Sequence, residues 1–122
     1  DLLGDSLISW TQESGQFTHE SYSIPVVMAG EAGGSVISGQ YIDYRDLTQE
    51  IPFDEEGGLE EIDNPGLVWN QYLGTVMQAM GMEPSEYEGE TGGYGWLYVS
   101  EDRPYYDTAV TTLSEPLPYL MG

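Results

Sequence analysis

One histidine stands in this chain, His19, six residues beyond Glu13 and directly before Glu20. A carboxylate and an imidazole together suit a divalent metal such as zinc or manganese, with further ligands supplied from elsewhere. Two ligands do not complete a site, and the competing reading of His19 is an exposed loop histidine. A second oxygen-rich stretch surrounds Gly57-Gly58, with Asp54, Glu55, Glu56, Glu60, Glu61 and Asp63. Calcium takes such ligands, but the EF-hand order is not matched, so a solvated acidic loop is the competing reading there. The expected cofactor is therefore a divalent metal (zinc, manganese or calcium) or none.

Other chemistries fail on residue type. The chain has no cysteine, so a Cys–His pair and a disulfide framework are both excluded. No G-x-S-x-G elbow is present to use His19 in a triad. Gly30 to Gly34 reads GEAGG and lacks the spacing of a phosphate-binding loop. Among 22 acidic residues, chance supplies many carboxylate pairs, so no glycosidase dyad can be singled out.

The elements that must carry these residues are few. Ser6 to Thr11 reads as a strand, with Glu13 where it ends. Ile24 to Gly30 is a continuous apolar run, which predicts a strand over 24–29 buried on both faces, as in a parallel sheet. Ser35 to Tyr44 reads as a hairpin turning at Ser38-Gly39, and 46–63 as an acidic loop. Asn64 and Pro65 suit the start of a helix over 65–80, and Gly81 and Pro84 suit its end. Trp69, Tyr72, Leu73, Val76, Met77 and Met80 recur at +3 and +4, a stripe that reads as core. Residues 1–91 thus form one unit. Residues 92–122 form a Tyr/Gly/Pro-rich tail, with Pro116 to Leu120 laid across a surface.

Charge narrows the partners. Twenty-two acids against two basic residues give a net charge of −20. Phosphate neutralisation needs Lys/Arg patches, so nucleic acid is excluded, and anionic membranes are disfavoured. No apolar run has the length of a membrane span. An apolar content of 39% with 12% aromatics is too high for a disordered acidic tail and requires a packed core. Two strands and one helix do not close an α/β domain. An upstream segment or a second chain, or a homo-oligomer, is expected to complete it.

The run Leu7-Ile8-Ser9-Trp10-Thr11-Gln12-Glu13-Ser14-Gly15, then His19, then Ile24 to Gly34, then Gly39 to Tyr44, resembles a known family. So does Trp69-Asn70-Gln71-Tyr72-Leu73-Gly74-Thr75-Val76-Met77-Gln78-Ala79-Met80-Gly81. The resemblance is to the C-terminal part of an exported bacterial domain-of-unknown-function family, family fifteen fifty-two, similar to the alkaline-phosphatase-like, sulfatase-like superfamily. It implies a three-layer α/β sandwich with a mostly parallel sheet, and a periplasmic or extracellular location. It also implies Glu13 and His19 as metal ligands, although Gln12-Glu13-Ser14 stands where the superfamily presents an Asp-His pair. Two functions follow as expectations. The first is a non-catalytic, exported, acidic protein or assembly subunit on a degenerate form of that fold. The second is a fragment of a metal-dependent phosphate- or sulfate-ester hydrolase.

Overall fold

A computed structural model of the chain describes residues 1–12, 24–48, 50–51, 62–63, 66–89, 94 and 114–122. Strand β1, Leu7–Thr11, pairs with strand β2, Val26–Gly30. The pairing is antiparallel, with Leu7 opposite Gly30, Ser9 opposite Met28 and Thr11 opposite Val26. Two further strands, β3 (Glu50–Ile51) and β4 (Ile62–Asp63), pair antiparallel and close the ends of the acidic stretch. Helix α1 spans Trp69–Ala79, and the short helix α2 spans Pro84–Tyr87.

This corrects the expected mostly parallel, alkaline-phosphatase-like three-layer sandwich. Among the described residues the sheets are two-stranded and antiparallel. The physical reason lies in the faces. Parallel sheets are covered on both sides, and the apolar run of β2 is not buried on both sides. Its residues alternate between half-buried and exposed, so one face packs and the other stays open.

The turn before β1 fixes how β2 ends. Glu31 and Gly33 donate their amides to Leu3 O and Gly4 O, at 3.1 and 2.7 Å. Gly30 sits between these strands with φ of +104°, and a Cβ there would lie 2.1 Å from Ser6 O. Only glycine fits that crossing. A 3-10 turn over Ala32–Gly34 follows. The segment read as a hairpin, 35–44, does not pair with itself. Instead Val36 bridges antiparallel to Met121.

Helix α1 ends as its sequence requires. Gly81 has φ of +87°, its N–H bonds Gln78 O, and the Met82 N–H bonds Met77 O. That pair of bonds is a Schellman motif. The core brings together Tyr72 and Ala79 of α1, Val36, and Leu117 and Leu120 from the C-terminal segment. Leu7, Val26, Met28, Trp69, Leu73 and Val76 pack around them half-buried. The end of the chain is therefore built into the core rather than laid over it.

Candidate functional site

The register of β1 and β2 sorts their side chains onto two faces, because directly opposed residues share a side. On the inner face, Leu7, Val26 and Met28 pack against the core. The Tyr72 hydroxyl of α1 donates to Ser9 Oγ at 2.7 Å, anchoring the helix to this face. Thr11 Oγ1 donates to Pro25 O at 3.1 Å and ties the strand ends together.

On the outer face, Ile8 stands opposite Ala29 and Trp10 opposite Val27. All four are apolar and all four are exposed. Ile8 and Trp10 are each 57% exposed and Val27 is 60% exposed. Single exposed apolar residues are ordinary on a protein surface, but contiguous ones mark interaction sites. Here four adjoin in one cross-strand ladder. Acids stand at one end of it: Asp1 and Asp5 in the opening turn, and Glu31 after β2, are all exposed. The arrangement is an apolar ladder with acids at one end of its strands, where the N-terminal ammonium lies 3.5 Å from Asp5 Oδ2.

The charges elsewhere reinforce that sign. Arg45 is one of only two basic residues, and its guanidinium already binds Asp43 through Nε to Oδ1 at 2.9 Å and Nη2 to Oδ2 at 2.6 Å. Those bonds hold the Asp43 carboxyl at about 2, below the ordinary 3.8. A surface depression lined by Asp5, Ala32, Gly33, Ser35, Ala79, Met80 and Gly81 carries a single ionisable group. It offers no acid–base pair.

Glu13 and His19, the expected metal ligands, lie outside the described residues, as does the Asp54–Glu61 acid run. Among the described residues no group of three or more His, Cys, Asp or Glu could hold a metal ion. No helix there is long and apolar enough to cross a membrane. The outer sheet face was missed in the sequence because a continuous apolar run signals burial on both sides. The alternation Ile8-Ser9-Trp10-Thr11 is the signal that could have found it, since it places two large apolar side chains together on one side.

Comparison with protein families, with curated proteins and with solved structures finds no match.

Proposed function

We infer that this chain is a non-catalytic, acidic assembly subunit that docks a cationic partner protein on the outer face of β1 and β2. The observation that carries this reading is the exposed ladder of Ile8, Trp10, Val27 and Ala29. Covering it removes apolar area from water, worth roughly 25 cal/mol per Å² before the costs of association. Charge selects the occupant. A second copy on this face would bring −20 against −20, whereas a basic partner gains from the field of the whole chain. An extended segment with alternating apolar and basic residues suits both features, with its apolar side on the ladder and its basic side in the field of the −20 chain. Export to the periplasm or the cell exterior belongs to the same reading and rests on the sequence resemblance.

The test is a titration with two synthetic peptides, one alternating Val and Lys and the other all Lys. The reading expects the Val–Lys peptide to stay bound when salt is raised to about 0.5 M, where exposed charges are screened, and polylysine to be released. The double variant Ile8→Thr/Val27→Thr should lose the salt-resistant binding while keeping its fold, because exposed substitutions typically change stability by only about 0.5 kcal/mol. Equal salt sensitivity of both peptides, unaffected by the variant, would reduce the interaction to net charge and overturn the docking face.

A further inference from the structure

A sheet of two strands has two margins, and among the described residues neither is closed. β1 and β2 pair with each other and with no third strand there. In an antiparallel pair, successive residues direct their N–H and C=O alternately toward the partner and away from it. Every second residue of β1 and of β2 therefore turns a donor and an acceptor outward. Among the described residues, no group outside the pair bonds the main chain of Leu7–Thr11.

The two margins are not equivalent. Natural sheets blunt an exposed edge with charges, proline or a local distortion. β2 is blunted at both ends. Pro25 stands directly before it and has no N–H to offer, and Gly30 at its close turns off the extended path with φ of +104°. β1 carries none of these devices. Its five residues read LISWT, without a charge, in a chain that has 22 acids. None of them has a positive φ. β1 is also the more open strand. Ile8, Ser9, Trp10 and Thr11 are exposed in unbroken succession, whereas β2 alternates between half-buried and exposed. Successive residues point to opposite faces, so this run leaves β1 open on both.

We propose that the cationic partner adds a third strand along the free edge of β1, pairing main chain to main chain and setting its apolar side chains beside Ile8 and Trp10. This rests on the docking reading above and adds the mode of attachment. Alternation with period two puts the apolar residues of the added strand on the outer face and its basic residues on the other. Neighbouring strands lie about 4.8 Å apart, so Ile8 and Trp10, already opposite Ala29 and Val27 on one side, gain a cross-strand neighbour on the other. Main-chain bonds give such an edge its affinity for an extended segment, and side chains and charge select which segment it takes. The uncharged edge repels nothing by itself. The charge of −20 behind it favours a basic segment over the β1 edge of a second copy, which carries the same charge.

The experiment uses the whole chain and the Val–Lys peptide at about 0.5 M salt. Amide hydrogen exchange is read residue by residue by NMR, alongside radical footprinting of Trp10. In the free chain, alternate amides of β1 are protected by β2 and the others exchange freely. The expected result is that peptide slows this second set in Leu7–Thr11 several-fold and leaves the outward amides of β2 unchanged. A depsipeptide with the same side chains, each backbone N–H replaced by an ester oxygen, should bind several-fold more weakly because it has no main-chain donors for β1. Trp10 shielded while the β1 amides exchange as in the free chain overturns strand addition and leaves face docking standing. Trp10 left unshielded removes the docking reading, and the added strand with it. Protection of the β2 edge in place of β1 overturns the proposal, as does a depsipeptide that binds as tightly as the peptide. Protection of β1 amides that grows with protein concentration in the absence of peptide gives the edge to a second copy and also overturns it.

Discussion

Thr75 and Leu117 are joined by a buried hydrogen bond that stitches the helix to the end of the chain. Thr75 is 1% exposed; its Oγ1 donates to Gln71 O at 2.7 Å and accepts the Leu117 N–H at 2.8 Å. A mid-helix threonine commonly satisfies its hydroxyl on the carbonyl four residues back. Here that habit aims the free lone pair at a backbone amide 42 residues away in sequence.

Thr75→Val keeps the shape and removes the acceptor. The Leu117 N–H would then be buried without a partner, a loss of about 1–3 kcal/mol. Thr75→Ser keeps the hydroxyl and should cost less. Urea denaturation of the three proteins checks this. A valine variant as stable as the threonine form would mean that water reaches the Leu117 amide.

Tyr44 gives the C-terminal segment an alkaline limit. Burial disfavours the phenolate, so the folded pKa of Tyr44 lies above its ordinary 10.0. Its hydroxyl also donates to Pro118 O, a bond that needs the proton. The contribution of the neutral phenol is therefore complete below pH 10 and is lost as pH rises through the raised folded value. Denaturation midpoints measured upward from about pH 9 should fall more steeply for the native chain than for Tyr44→Phe. The other nine tyrosines (10 − 1) are common to both proteins. Parallel curves would show that Tyr44 ionises without disturbing the segment.

The sequence made some of this visible and hid the rest for identifiable reasons. The apolar stripe Trp69, Tyr72, Leu73, Val76 and the stop at Gly81 are local signals, and local signals set where α1 can exist; Met80, expected in the same stripe, is 59% exposed, and the helix expected from 65 begins at Trp69. Strand direction is not local. Leu7–Thr11 and Val26–Gly30 are apolar enough for either a parallel or an antiparallel sheet, and only their pairing in space decides. The place of Leu117 and Leu120 in the core was hidden for the same reason. A Pro-Leu-Pro-Tyr-Leu string has no helical or strand period, so its burial depends on a groove made by residues far away in sequence. Val36 and Met121 meet across most of the chain's length, and nothing in either neighbourhood announces the other. On the functional side, Glu13 and His19 stand out as residue types, while Ile8 and Trp10 become a site only once Ala29 and Val27 are set opposite them.

The measurement that bears most directly on the docking face is hydroxyl-radical footprinting of the chain, alone and with the Val–Lys peptide at about 0.5 M salt, where exposed charges are screened. Trp10 is 57% exposed in the free chain, while Tyr41 at 88% serves as a reference. The account predicts that peptide protects Trp10 several-fold and leaves Tyr41 oxidised as before. Protection of Tyr41 with Trp10 still fully reactive would contradict it.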